Sequence, residues 1–376
     1  MKEIMVISHK KIIRILFISM IFPLIFSGCM SSQKTDENRS SDFDIKIAAN
    51  VTESYMNALV KGDESNIKQF CSSKLLKSPI ISENEDLKIF GYNIAESNEV
   101  GSAGLFKIKV SRSDINKVFA SLDQYDVRTS KEGNEYKVVE TNDLTEKEAF
   151  RKGNSIRMRS KNNAATNLVL NAQGLPGYTF SKDDAANIDK LAVPKNFSLI
   201  NFSYGGDSLA VSTYDKNSFI GIIKIDESLA VQSSSNTGGS DNGGNGQGSG
   251  GEDTQSQDQT GAKEKPIGRE IVALDILRDS KVELMSFSPT EKFIAVQYSA
   301  SNGNKGLRVY KIDGGDIIPF KFEDKYPIDK VDVIFSSYDK ENLNFDVVPK
   351  SSGDKSVTDY VGKWQLNLKS FKENKM

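Results

Sequence analysis

One histidine, two cysteines and one tryptophan are spread over 376 residues, and each shortage closes off a kind of chemistry. The histidine, His9, lies in a stretch that reads as a discarded leader. The rest of the chain therefore has no imidazole for a catalytic triad, a metal site or proton transfer near neutral pH. The cysteines are Cys29 and Cys71, too few for a cysteine-cluster zinc site. Cys71 sits in NIKQFCSSKLL beside Ile67, Phe70 and Leu75 at helical spacing, so it reads as a buried structural thiol. A strong charge of either sign is missing as well. The formal net charge is −2, with Lys2, Lys10, Lys11, Arg14 and Glu3 supplying +3 before Cys29, which leaves −5 for the remainder. Such mild, mixed acidity argues against a nucleic-acid partner. After Cys29 no run approaches the roughly 18 apolar residues of a membrane span. No glycine run leads into Gly-Lys-Ser/Thr, so there is no phosphate cradle. The expectation is a chain without cofactor, metal or catalytic residue, and not an enzyme.

What is present begins at the N-terminus. MKEIMVISHKKIIR is basic, and ILFISMIFPLIF (Ile15–Phe26) is a hydrophobic stretch of twelve residues, the length of a signal-peptide core. It runs into Ser27-Gly28-Cys29. This arrangement resembles the bacterial lipoprotein signal, in which a small residue precedes the cysteine. The resemblance implies cleavage between Gly28 and Cys29 and acylation of Cys29, as by palmitate. It implies a lipid-anchored protein at the extracytoplasmic face of a bacterial cell membrane. Several acyl chains satisfy the two-signal requirement for stable anchoring. Residues 1–28 are then the signal peptide and 29–42 a polar stalk.

From Asp44 the apolar spacing becomes helical, through Ala48, Val51, Tyr55, Ala58 and Leu59, and Gly62 offers a C-terminal stop. Asp63 or Ser65 can cap a second short helix. Alternating strands follow at Leu105–Ser111 and on either side of Lys131-Glu132-Gly133-Asn134, a hairpin signal. Helices followed by antiparallel strands indicate an α+β unit over residues 43–143. The order, with ALVKGDESNIKQF and the late KEGNEYKVV hairpin, resembles the nuclear-transport-factor-like fold, which implies a structural or interaction module. Residues 144–194 read as a connector with one strand at Leu168–Leu170, or as a degenerate repeat. They carry Lys147, Arg151, Lys152, Arg157, Arg159 and Lys161, which could face an acidic polymer or lipid headgroups.

The remainder, 195–371, contains an internal repeat. NFSYGGDSLAVSTY (Asn201–Tyr214), SFSPTEKFIAVQY (Ser286–Tyr298) and IFSSYDKENLNFDV (Ile334–Val347) each read Phe-Ser, a turn, then an apolar alternation. Each is followed by a strand, ending IIKID, VYKID and KWQLN. From Phe287 to Phe335 is 48 positions, but from Phe202 to Phe287 is 85. Leaving out the 33 low-complexity residues Ser233–Lys265 reduces the second figure to 52. The stretch 233–266 is then a disordered insertion inside one repeat, and Phe219–Asp226 and Glu270–Asp275 should pair across it. A strand–turn–strand unit at this period indicates propeller blades. The run FSPTEKFIAVQYSASNGNKGLRVYKIDGG resembles TolB-like and WD-type blades. Three copies are fewer than a closed propeller needs, so either a degenerate blade lies within 144–194 or the stack is open. The fold class expected is an α+β N-terminal module followed by an all-β repeat domain.

Other motifs carry less. Asp241, Asn245, Gly246 and Glu252 fall at EF-hand positions 1, 5, 6 and 12, but Gly243 replaces an oxygen ligand at position 3. Ser337/Lys340 and Ser352/Lys355 have nucleophile spacing but lie in expected turns. Trp364 stands where the second copy has Tyr310, in a core position or free to stack on a ligand. The leading expectation is a membrane-anchored surface lipoprotein that binds or scaffolds a protein or envelope-polymer partner without catalysing a reaction. The alternatives are a solute-binding lipoprotein of a transporter and a propeller-type hydrolase or lyase acting on carbohydrate polymers.

Overall fold

The computed structural model describes residues 43–77, 86–161, 163–230 and 264–376. The expected signal peptide and stalk, with Gly28 and Cys29, lie outside the described residues, as does the calcium-like run Asp241–Glu252. Helix α1 (Ile45–Lys61) starts where the Asp44 carboxylate accepts from Lys46 N–H, and it stops at Gly62, whose φ of 63° suits a residue without Cβ. Its buried stripe includes Thr52, Tyr55, Met56 and Leu59. Asp63, rather than Ser65, caps α2 (Glu64–Phe70). Cys71 follows it, buried, and burial pushes its thiol above the ordinary value.

Strands β1 (Leu87–Val100), β2 (Ala103–Asp114), β3 (Phe119–Glu132), β4 (Glu135–Lys152), β5 (Ser155–Ser160) and β6 (Asn167–Asn171) form one antiparallel sheet in chain order. The β3–β4 turn falls at Gly133-Asn134, with Glu132 opposite Glu135, as the hairpin signal predicts. Strand β4 crosses residue 143 without a break, and β5 and β6 continue the same sheet. The first sheet therefore extends past the end expected for the N-terminal module and takes in the first part of the expected connector, as far as Asn171. Helix α1 lies on this sheet, and Thr52 and Thr129 share a buried hydrogen bond of 2.7 Å.

After a two-stranded ladder of β7 (Tyr178–Thr179) and β8 (Leu191–Ala192), three blades follow. Blade 1 is β9 (Phe197–Phe202), β10 (Ser208–Tyr214), β11 (Ser218–Ile225) and β12 (Gly268–Leu277). Blade 2 is β13 (Ser280–Phe287), β14 (Phe293–Ala300) and β15 (Lys305–Lys311). Blade 3 is β16 (Val331–Tyr338), β17 (Asn342–Pro349), β18 (Gly362–Asn367) and β19 (Glu373–Lys375). Strands β11 and β12 pair antiparallel from Ser218 opposite Leu277 to Ile225 opposite Gly268, with register shifts after Ile220 and Lys224. The strands flanking the low-complexity stretch are thus neighbours, as the repeat spacing requires. Residues 231–263 lie outside the described residues. Every named strand pair is antiparallel, so the described residues lack the parallel βαβ units of a two-lobed solute-binding fold.

The Phe-Ser signature has a local cause. In blades 1 and 2 the serine hydroxyl closes the first hairpin: Ser203 Oγ accepts from Ser208 N–H at 3.2 Å and Ser288 Oγ from Phe293 N–H at 3.1 Å. In both turns the third residue after the serine has positive φ, Gly206 at 70° and Glu291 at 53°. Blade 3 differs because a bulge lies between Phe335 and Ser337. There the Asp339 carboxylate takes over, accepting from Glu341 and Asn342 N–H. This is the physical form of the extra residue in the third copy.

Alternation along each strand fills three successive cores. The first sheet meets blade 1 through Leu122, Met158 and Val169 against Phe202, Leu209 and Phe219. Blade 1 meets blade 2 through Ile220, Ile222 and Leu274 against Met285, Phe287 and Val296. Blade 2 meets blade 3 through Leu307 and Val309 against Val333, Leu343 and Phe345. Each fully buried side chain of this size contributes about 1.5–3 kcal/mol. The first sheet thus occupies the place of a further blade. The far face of blade 3 carries an amide ladder, with Asn367 bonded to Asn342 and Gln365 to Asn344 and Asp339, a polar end of the kind that terminates stacked repeats.

Candidate functional site

Charge converges where blades 1 and 2 meet. On β15, Leu307 and Val309 face blade 3, so Arg308 and Tyr310 point the other way. Arg308 Nη1 donates to Asp275 of β12 at 2.9 Å, and Nε donates to Glu323 at 2.6 Å. Nη2 donates to both oxygens of Asp183 at 2.8 Å. Glu323 sits on the one-turn helix Phe322–Lys325, and Asp183 on the excursion between β7 and β8. Side-chain exposure is 8% for Arg308, 0% for Asp275, 19% for Glu323 and 58% for Asp183. Asp275 accepts four bonds, from Arg308, Tyr310 OH at 2.7 Å, Lys182 N–H at 2.8 Å and Ile276 N–H at 2.7 Å. Tyr298 OH donates to Glu323 at 2.8 Å, and the Tyr298 ring centroid lies 5.7 Å from the guanidinium carbon.

Burial opposes the charge on Arg308, but Tyr310, Glu323 and Asp275 outweigh it and hold the guanidinium protonated. Burial, then Asp275, pushes the Tyr310 hydroxyl well above its ordinary value, and burial with Glu323 does the same for Tyr298. Both phenols stay neutral donors. A cavity of about 230 Å³ opens beside the network, lined by Asp183, Tyr298, Arg308 and Glu323 together with Arg278 and Lys305. Arg278 is engaged by Asp189 and Lys305 by Glu283. The site holds fixed, desolvated charge against open space. It can orient a small polar group, because its donors and acceptors are already locked in place.

The residues singled out from sequence fare differently. Lys147 pairs with Glu227, Arg157 with Glu264 and Arg159 with Glu148, so three of the six basic residues of this stretch are neutralised by the chain's own carboxylates. Glu264, within the span expected to be disordered, also accepts from Leu168 N–H at 2.9 Å. Ser337 lies on β16 and accepts from Asn344, and Lys355 lies in a one-turn helix capped by Asp354; among the described residues no hydrogen bond joins either serine to its lysine. The Trp364 ring lies parallel to Phe345 and under the Lys375 ammonium, which places it in the core reading. Arg308 and its three carboxylates were missed. The signal was there in GLRVYK, an arginine at an inward position of a strand that otherwise alternates cleanly.

No family model matches this chain, and no curated protein does. Among solved structures the chain is similar to a prolyl endopeptidase at 10% identity, covering 88% of this chain and 41% of that one, with a TM-score of 0.25. It is also similar to TolB from Acinetobacter baumannii at 14% identity, covering 61% of this chain and 57% of that one, with a TM-score of 0.16. The chain spans less than half the length of the peptidase. The expectation that this chain is not an enzyme is corrected on this finding, since a structure it is similar to over most of its length is that of a peptidase.

Proposed function

We propose that the chain is a lipid-anchored binding protein of the bacterial cell envelope, held at the extracytoplasmic face of the membrane through acylated Cys29. The observation that carries the binding role is the Arg308 cavity, where buried and fully partnered charge borders open space on the rim of the blades. The anchoring is supported by the basic start, the hydrophobic stretch and Ser27-Gly28-Cys29. A nuclear-transport-factor-like character for the N-terminal module belongs to the same reading, supported by the packing of α1 across an antiparallel sheet.

The test uses the full chain expressed in bacteria with a clickable fatty acid and a photo-crosslinking residue at Asn302, at the exposed mouth of the cavity. The expected result is label on the wild type, none on Cys29→Ala, and release of that variant from the membrane fraction. A crosslinked species should form and should weaken in Asp183→Lys. Label persisting on Cys29→Ala sinks the anchor, and crosslinking indifferent to Asp183→Lys sinks the cavity as the binding site.

A further inference from the structure

Blade 2 has three strands, whereas the blades on either side have four. Beyond β15 the vacant position is taken only by Asp316–Ile318. Lys311 N–H donates to Asp316 C=O at 2.7 Å and Ile318 N–H to Val309 C=O at 3.0 Å, so Tyr310 and Ile317 form an isolated antiparallel bridge. In this pairing the N–H and C=O of Ile317 itself point away from the blade, and among the described residues they have no backbone partner. A groove of about 620 Å³ lies along this segment, lined by partly buried Ile317, exposed Pro319 and buried Phe320, with Lys311, Lys321 and Lys325 around it beside Asp316 and Asp324. Among the described residues none of these three lysines reaches a carboxylate, and only Lys182, at the groove's end, has one, Asp316 at 3.7 Å. Lys147, Arg157 and Arg159, by contrast, each have a carboxylate partner. Three cations without a carboxylate partner thus stand together at the edge of the incomplete blade, outnumbering the Asp316 and Asp324 carboxylates that share the groove.

We propose that this edge docks an extended acidic segment of a partner protein, added to blade 2 as a further strand. An open sheet edge takes an incoming strand through main-chain bonds and selects it through alternate side chains. Here the apolar surface accepts one face of such a strand, and the three ammonium groups accept carboxylates on its rim. The lysines also repel basic strands from an edge that would otherwise invite unspecific pairing. The site is separate from the Arg308 cavity, and the proposal stands or falls without it.

The probe is a fluorescein-labelled decapeptide of alternating Glu and Val, titrated against the full chain in detergent and read by fluorescence anisotropy. Binding is expected to weaken as salt is raised from about 50 to about 300 mM, since exposed charges are screened over about a Debye length. Reversing the three lysines in Lys311→Glu/Lys321→Glu/Lys325→Glu should weaken it about tenfold or more. N-methylation of alternate peptide residues, which removes the main-chain donors, should weaken it comparably on the unaltered protein. That second arm decides the matter if the triple variant fails to fold. No binding of the Glu–Val peptide, or binding indifferent to N-methylation, overturns the proposal. Anionic vesicles or polyphosphate binding where the peptide does not would overturn it in favour of a plain anion surface.

Discussion

The two seams of blade 2 are built from one repeat and closed by different chemistry. Toward blade 1, the aliphatic core of Ile220, Ile222 and Val296 ends in the Arg308 network, a knot of one cation, three carboxylates and two phenols. Toward blade 3, the core ends in rings. Among Phe320, Phe322, Tyr326, Phe345 and Trp364, edge-to-face contacts run from 4.9 Å between centroids for Phe320–Phe322 to 5.8 Å for Tyr326–Phe345, and Phe322–Tyr326 and Phe345–Trp364 stack at 6.5 Å. Ring contact is graded, and a slightly smaller side chain loses part of it. A buried charge network is all or nothing, because deleting one member strands the others without solvent. The seams should therefore differ in how they fail.

The largest effect belongs to the charged seam. Arg308→Ala leaves Asp275 and Glu323 buried without their cation and should cost about 3–5 kcal/mol in urea unfolding. The combination Arg308→Met, Asp275→Asn and Glu323→Gln should recover most of that loss. A single Arg308→Ala variant within about 1 kcal/mol of the wild type would show that the network does not hold the seam. On the ring side, Phe345→Leu keeps an apolar side chain of similar bulk and should cost less than about 1.5 kcal/mol. A loss as large as that of Arg308→Ala would erase the distinction between graded and all-or-nothing closure.

The smallest effect is one of pH, and it separates the seams again. Glu291, in the first turn of blade 2, accepts from Gly205 N–H of blade 1 at 2.7 Å. Burial, and then the nearby Asp207, raise its carboxyl above the ordinary value of 4.5, against the opposing bond from Gly205. A carboxyl raised in the folded state contributes stability that is full below the ordinary value and is lost as pH rises through the folded one. The wild type should therefore gain on Glu291→Gln as the solution is acidified from neutral toward about pH 4.5. Melting temperatures of the two proteins across that window check it, and parallel curves would remove Glu291 from the account. Phe345→Leu should run parallel to the wild type throughout.

How much of this was legible in the sequence follows from how local each cause is. The Phe-Ser turns close within five residues, so Ser203 and Ser288 left a repeat that can be read directly, and the β11–β12 pairing followed from its spacing. The continuity of the first sheet through β4, β5 and β6 did not show. Much of β4 is only half-buried or exposed, so charged residues occupy both faces and the strand pattern dissolves into apparent connector. The Arg308 network was hidden for another reason. Asp183 is 125 positions from Arg308, Asp275 is 33 and Glu323 is 15, and nothing in the chain between them announces their meeting. The lysine edge was hidden too, because its members are ordinary surface residues until the missing strand is counted.

The join between β11 and β12 bears on how this protein can be handled. The ends of the interruption are pinned: Asp226 N–H donates to Ile267 C=O at 2.9 Å, Ile267 N–H donates to Leu168 C=O at 2.8 Å, and Arg157 holds Glu264 through Nη1 and Nη2. With the closure made by the sheet itself, doubling the length between those ends adds only about 0.6 kcal/mol of chain entropy. The position between residues 231 and 263 is thus a natural cloning site. A reporter domain or an affinity tag placed there would ride on blade 1 while its strands stayed in register.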